Sequence, residues 1–296
     1  MSVHFVVPYY VAPHYLFELI DSVRAQTRDG WLLTIVDDQY PGTEAEDYIA
    51  KLGDPRIDYV RNERNLGATD NVCRSMTLGR LEYITVMGAD DALEPCYVQV
   101  VLDAFERHPD AIMVHPGVTV VDSDGKPTDS LTDRVKRIAS RNAWSQQELS
   151  GQAALESLMK GNWLYVPAMC FRRDVVARAQ KLGQYKSIAD LAWVTDMLLG
   201  GGTLALDSTP AFRFRRHAAS HSSIHAKNVA RFDEESAYYL AAARQLDEKG
   251  WTKAARAARM HPLSRLHAMQ SAAGALSATD LRLAGALTRR ALRSTR

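Results

Sequence analysis

The chain has 296 residues, 46% of them hydrophobic and 24% charged, enough for a full core in one large domain or a domain with a helical appendage. A formal net charge of +1 excludes nucleic-acid binding driven by bulk electrostatics, which needs a basic surplus, and leaves room only for a local anion site. Cys73, Cys96 and Cys170 are odd in number and lack metal-like spacing, so they read as reduced thiols of a cytoplasmic protein rather than a disulfide framework or a zinc site.

Val3 to Val7 is a β-branched and aromatic run that stops at Pro8, the pattern of a buried strand running into a loop. Tyr15 to Val23 has helical apolar spacing through Leu16, Leu19, Ile20 and Val23. A second strand, Leu32 to Val36, ends at Asp37-Asp38, and a third, Ile57 to Val60, runs into Arg64-Asn65-Leu66-Gly67. A helix is expected over Thr69 to Leu78, then a fourth strand over Tyr83 to Met87 ending at Gly88-Ala89-Asp90-Asp91. Strands and helices alternating at this spacing predict an α/β fold with a mainly parallel sheet, whose ligands bind at the carboxyl ends of the strands. The polar clusters after strands one, two and four all fall there.

After residue 110 the rhythm changes. Ala111 to Val114 and Val118 to Val121 read as two strands, the second closing in a turn at Asp122-Ser123-Asp124-Gly125. Residues 127–147 are polar and predict a mobile loop. Leu164 to Phe171 reads as a strand, Leu191 to Leu199 as a helix, and Thr203 to Leu206 and Phe212 to Phe214 as short strands. From about 227 onward the chain reads as helices. Between Trp251 and Arg296 it carries nine Lys/Arg against Asp280 alone, interleaved with Leu, Ala and Met. The plain reading of this tail is a solvated basic face packed on the body; contact with an anionic membrane surface, a partner or a second copy is the other.

The residues that carry chemistry begin at the end of the fourth strand. An apolar strand that delivers two carboxylates to its carboxyl end incurs a desolvation cost unless those charges are exposed or paired. Mg2+ or Mn2+ on a diphosphate suits the place, since hard cations take carboxylate oxygens and keep phosphate and water as further ligands. The structural alternative is a helix start capped by Asp91. Asp37-Asp38 repeats the pattern, either accepting hydrogen bonds from a base or ribose or standing as plain turn carboxylates. Arg64, Asn65 and Gly67 add a backbone-exposing turn, and Asn71 and Arg74 follow three apart on the next helix. Arg74 can reach a diphosphate or pair with Asp70.

Together these pieces resemble glycosyltransferase family 2, whose members have the GT-A fold. Pro8-Tyr9-Tyr10 is similar to that family's strand-Pro-aromatic element lining the nucleobase pocket, Val36-Asp37-Asp38 to its acidic pair, and Asn65-Leu66-Gly67 with Asn71 and Arg74 to its Asn-x-Gly region. Gly88-Ala89-Asp90-Asp91 stands at its Asp-x-Asp metal motif, with Gly88 in place of the first aspartate, and Cys73 stands where Asn is frequent. The likeness is clear over residues 3–108, patchier to about 223, and absent from the C-terminal helices. It implies a nucleotide-sugar half at 1–115, an acceptor and catalytic half at 116–226, and a helical extension at 227–296.

The resemblance further implies a later carboxylate that takes the acceptor's proton. Asp190, in Ile188-Ala189-Asp190-Leu191, matches the family's Glu-Asp before a helix, with Ala189 for Glu; Asp190 as the N-cap of a helix starting at Leu191 is the structural alternative, and Asp196 the second candidate. Arg213-Phe214-Arg215-Arg216-His217 with Ser220 and Ser222 resembles the late Tyr-Arg-x-His-x-x-x-Ser stretch. It suggests Arg213 and Arg215 for the diphosphate and His217 as a metal ligand beside Asp90 and Asp91. Trp163 is expected at the acceptor. The implied activity is inverting transfer from a UDP-sugar, with dTDP next, to an unidentified hydroxyl; the other reading is a sugar-nucleotide-binding or scaffold protein that has lost turnover. A nucleotidyltransferase would need a Gly-rich, lysine-bearing loop, which Pro8 to His14 does not provide.

Overall fold

The computed structural model describes residues 1–176, 185–217, 229–277 and 279–292. Strands β1 (Val3–Tyr9), β2 (Trp31–Asp37), β3 (Ile57–Arg61) and β4 (Tyr83–Val86) alternate with helices α1 (Pro13–Arg24), α2 (Glu44–Leu52) and α3 (Ala68–Thr77). The chain continues through β5 (Ala92–Leu93), α4 (Tyr97–Arg107), β6 (Ala111–Val121), α5 (Leu131–Trp144), β7 (Glu148–Ser150), α6 (Gly151–Lys160), β8 (Cys170–Arg172), α7 (Arg173–Val176), α8 (Ala189–Leu199) and β9 (Thr203–Arg215). Four helices follow: α9 (Val229–Glu248), α10 (Thr252–Met260), α11 (Pro262–Ser277) and α12 (Leu281–Leu292).

One sheet runs in the order β3-β2-β1-β4-β8-β6-β9-β5, with β7 also on β9. The pairs β3–β2, β2–β1, β1–β4 and β6–β9 are parallel, while β8 is antiparallel to both β4 and β6. Both faces of β1 are covered, which is why it reads as an unbroken apolar run rather than an alternating one. Phe5 and Val7 pack on the α1/α4 side with Leu16, Ile20 and Val101, whereas Val6 packs on the opposite side with Leu155, Trp193 and Leu246. Pro13 opens α1, where a missing N–H costs nothing, and Gly53 closes α2 in the left-handed conformation at φ +57°.

Four expectations are corrected. The two strands read at 111–121 are one, and so are those read at 203–214. β6 and β9 pair in parallel along their lengths and absorb the polar interruption at Asp207–Pro210 through register shifts around Gly117. The polar 127–147 segment contains helix α5. Ser130 caps it by accepting from the Asp133 N–H at 3.2 Å, and its buried face is Asp133, Ser140 and Ala143 rather than an apolar stripe. Only Cys170–Arg172 of the 164–171 run is strand, because Pro167 has no ladder donor and sits in a 3-10 turn at Val166–Ala168. Residues 115 and 116 both lie within β6. The C-terminal stretch is helical, as read.

Gly117 lies at the bulge itself. A Cβ there would stand 2.6 Å from the Ser208 carbonyl oxygen and 2.7 Å from that of Thr209, both main-chain atoms with no rotamer to yield. Gly117→Ala is therefore expected to destabilise by about 1–3 kcal/mol as an overpacking change. Urea unfolding checks this: a lower midpoint at unchanged slope is the expected result.

Candidate active site

Strand β4 is too apolar to hold a charge, and the carboxylates come in the turn that ends it. The Asp91 N–H donates to the Gly88 carbonyl at 3.2 Å, and this tight turn leaves one acidic side chain buried and the other partly exposed. Asp91 points inward, is buried, and accepts the Arg215 backbone N–H at 3.0 Å. Burial, and then the neighbouring Asp90 charge, push its pKa well above the usual carboxylate range. Asp90 points outward and meets His217 Nε2 at 2.8 Å. It is 127 residues from its partner in sequence.

Arg215 makes that meeting possible. Its Nε donates to the Asp90 carbonyl at 2.7 Å, its Nη1 to the Asp122 and Ser123 carbonyls at 3.2 and 3.1 Å, and its Nη2 to Glu18 at 2.6 Å. The side chain is 2% exposed. Arg213, two residues earlier on the same side of β9, faces Glu18 at 3.5 Å and Glu94 at 3.6 Å. The diphosphate role expected for this pair thus meets a physical obstacle: Arg215 is enclosed with its donors engaged, and Arg213 is turned toward two carboxylates.

The acidic pair after β2 is likewise engaged by the protein. Asp37 is buried and accepts the Tyr40 N–H at 2.7 Å, the Tyr59 hydroxyl and Arg61. Asp38 is buried and accepts Asn62 at 2.7 Å and the Leu66 and Gly67 N–H groups at 2.8 Å each. Asn71 completes the strut, donating to the Val36 carbonyl at 3.0 Å and accepting from Asn62 at 2.9 Å. Asn65 donates to the Asp38 carbonyl, and Gly67, at φ +84°, turns the chain into α3. These residues build the rim, while Arg64, Asn65 and Arg74 are exposed on it. Tyr9 is buried against Tyr40 at 5.1 Å between ring centroids, and Tyr10, exposed, lies edge-on to Tyr40 at 5.9 Å, with Pro8 half-buried beside them.

Asp190 occupies the first turn of α8, whose N-cap is Ile188, so the capping alternative does not describe it. The residue is exposed to solvent, yet the surrounding protein raises its pKa, and the Lys136 ammonium partly offsets that rise. Lys136 donates to the Leu164 carbonyl at 2.9 Å and lies 4.2 Å from the Tyr165 ring centroid. Burial, with help from Arg216, lowers its pKa to about 8, against the opposing pull of Asp133 and Asp190. Ser220 and Ser222 lie outside the described residues.

Sequence reasoning missed the group that joins these parts. Arg216 forks onto buried Asp133 through Nε at 2.9 Å and Nη2 at 2.6 Å, and the Tyr165 hydroxyl donates to the same carboxylate at 2.7 Å. His115 donates from Nδ1 to the Pro116 carbonyl at 2.7 Å and accepts the Tyr165 N–H on Nε2 at 3.0 Å, which fixes its tautomer; burial lowers its pKa to about 4 and keeps it neutral. A cavity of about 390 Å³ opens beside this network, walled by His115, Lys136, Ser140, Trp144, Trp163 and Tyr165. Trp163 is a fixed wall, its indole N–H bound to Ser157 Oγ at 3.1 Å. The one available signal was Ser130-Leu-Thr-Asp133, a helix-start pattern in a segment too polar to show periodicity.

The fit of a cation rests on Asp90 and His217. Their side chains are partly exposed, hold one oxygen and one nitrogen donor together, and form no cluster of three His, Cys, Asp or Glu among the described residues. That suits a hard ion that takes its remaining ligands from phosphate and water, and not an all-protein cage. Gly88 also has a reason: a Cβ there would come within 2.7 Å of an Asp90 oxygen and 2.9 Å of an Asp91 oxygen, displacing a buried carboxyl.

A mixed, largely parallel sheet with an acidic turn at the end of its fourth strand, backed by helices on both faces, is the architecture of the GT-A fold. The sequence model of the family described as Glycosyl transferase family 2 matches residues 4–176, and the chain belongs to that family. The uncharacterized Sinorhizobium fredii protein y4gI is 33% identical over 115 residues, 37% of this chain and 12% of that protein. The uncharacterized glycosyltransferase MJ1057 of Methanocaldococcus jannaschii is 30% identical over 113 residues, 38% of this chain and 39% of that protein. The chain therefore spans well under half the length of these relatives. The crystal structure of S. aureus TarS 1-349 in complex with UDP-GlcNAc has the same fold, with a TM-score of 0.63 at 12% identity over 96% of this chain and 89% of that one.

Removing Asp133 leaves Arg216 without its counter-charge. Asp133→Ala is expected to destabilise by about 3–5 kcal/mol, read by urea unfolding. Burial opposes the Asp133 charge, but hydrogen bonds from Arg216, Ser130 and Tyr165 outweigh it, so its folded pKa is lowered. Its contribution is thus present above the ordinary aspartate pKa of about 3.9 and lost as pH falls through the lower folded value. The variant should lack that acid-limb loss.

Proposed function

We propose that the chain transfers a glycosyl group from a nucleotide-diphosphate sugar to an acceptor hydroxyl, assisted by Mg2+ or Mn2+ and with inversion at the anomeric carbon. The observation that carries this reading is the meeting of Asp90 and His217 at the carboxyl edge of the sheet, across 127 residues of sequence. Family membership supports the glycosyl transfer, and the TarS complexes with UDP-GlcNAc and with UDP support a uridine carrier, with dTDP second because its base presents the same imide.

In this reading Tyr10 and Pro8 line the base pocket, and Asp37 and Asp38 act by holding Tyr40 and the 62–67 turn in place. The diphosphate falls to the first turn of α1, which has no side-chain cap or acidic residue and adjoins His217 through Tyr15 at 5.2 Å between centroids. Arg64 and Arg74 stand on the rim. A cation held by Asp90 and His217 would supply the charge that offsets the departing diphosphate. Asp190 takes the acceptor's proton, its raised pKa bringing it closer to the working pH of a general base. The cavity beside Trp163 and Tyr165 receives the acceptor, and the Asp133–Arg216 pair holds its wall against the end of β9. A non-catalytic sugar-nucleotide-binding or scaffold protein is the second reading, favoured by Gly88 in place of the family's first aspartate.

Calorimetric titration of UDP, dTDP and GDP with and without Mn2+ tests the donor site. Metal-dependent binding of UDP, weakened about tenfold or more in Asp90→Ala, is expected. Absence of binding for all three nucleotides would sink the assignment; binding without turnover of any donor would favour the scaffold.

With a donor and acceptor in hand, Asp190→Asn should lower kcat by about 10²–10⁴-fold while leaving UDP affinity unchanged. Because a base works deprotonated, wild-type activity should fall as pH drops through a pKa above the ordinary aspartate value. That acid limb should be absent from the residual activity of the variant.

A further inference from the structure

Helices α11 and α12 are built inside out. On α11 the residues facing the protein are the small ones, Ala268, Ala272 and Ala275, while Leu266, Met269 and Leu276 face outward and are 48%, 52% and 54% exposed. With Ala273 they recur every three or four residues, one stripe along a single side of the helix. On α12, Ala284, Leu287 and Ala291 are buried, whereas Leu281 and Leu292 are exposed by 72% and 70%. Met260, at the end of α10, adds another exposed apolar side chain. Six of the ten exposed large hydrophobics among the described residues thus fall within residues 260–292, a concentration that marks a covered surface rather than scattered exposure.

Charge decides what covers it. α11 and α12 contain no Asp or Glu, and Asp280 between them is the only acid after residue 250. Arg282 and Arg289 are exposed and border the Leu281–Leu292 face, one helical step round from it. A second copy docking through the same face would bring four arginines together with only the two copies of Asp280 to meet them. Asp280 accepts the Leu283 N–H at the start of α12, and an apolar stripe flanked by cations with this one capped acid beside it matches instead a surface whose apolar interior is roofed by anions.

We infer that the outer face of α11 and α12 binds the surface of an anionic lipid bilayer, the Leu and Met side chains entering the acyl boundary and the arginines meeting the headgroups. The helices lie on the membrane: no described helix is long and apolar enough to cross one. This inference is independent of the reading of the active site.

Flotation of the full chain with phosphatidylcholine vesicles, with and without phosphatidylglycerol, tests it. Binding to the anionic vesicles only, falling with added salt, is expected. Leu266→Gln/Met269→Gln/Leu276→Gln and, separately, Arg282→Gln/Arg289→Gln should each reduce the bound fraction at least about tenfold. These side chains are exposed, so unfolding curves and UDP titration of the variants should match wild type, which separates a failure here from a failure of the donor site. Equal binding to neutral vesicles, or variants that float as wild type does, overturns the proposal. So does sedimentation showing a dimer that the Leu/Met variant dissolves while no vesicle binds.

Discussion

A single buried guanidinium holds the working end of this molecule together. Arg215 donates to the Asp90, Asp122 and Ser123 carbonyls and to the Glu18 carboxylate, joining the acidic turn after β4, the turn after β6 and helix α1. An arginine so enclosed is tolerable only because its planar fork finds an acceptor in every direction and a carboxylate balances its charge. The end of β9 then supplies an N–H for Asp91, and His217 just beyond it the imidazole for Asp90. Whatever the outward pair binds, its spacing is set by a cation that the ligand does not touch.

The carboxylates divide between two tasks. Asp37, Asp38 and Asp133 are buried and saturated with donors, so their charges hold loops, α3 and the end of β9 in register. Asp90 and Asp190 retain access to solvent, and these are the two that the proposed reaction uses. Paired aspartates at a strand end look alike in sequence. The number of N–H groups that surround each after folding tells them apart.

That difference sets what could be read from residues alone. The parallel core from β1 to β4 was legible because strands covered on both faces must be continuous apolar runs, and Leu16, Leu19, Ile20 and Val23 can only line one side of a helix. Asp90 and His217 were visible as candidates, each on its own segment. Only the family resemblance put them together, since their contact depends on β9 lying beside β6 and β5. Helix α5 was missed because it is held by a cap and a buried ion pair rather than an apolar stripe. Alternating arginines on a strand suggest an anion, and the contact of Arg215 with Glu18 is visible only in the packed structure.

The large sequence separation between the acidic turn and the end of β9 also governs the order of assembly. A chain growing from its amino end can pair β1 with β2 and β4 through contacts between nearby segments, long before residues 215–217 exist. Until β9 docks, Asp91 lacks its N–H donor, Asp90 lacks His217, and two adjacent carboxylates face each other uncompensated at an open sheet end. The nascent amino-terminal half is thus a scaffold without a working centre, and maturation of the site coincides with closure of the sheet.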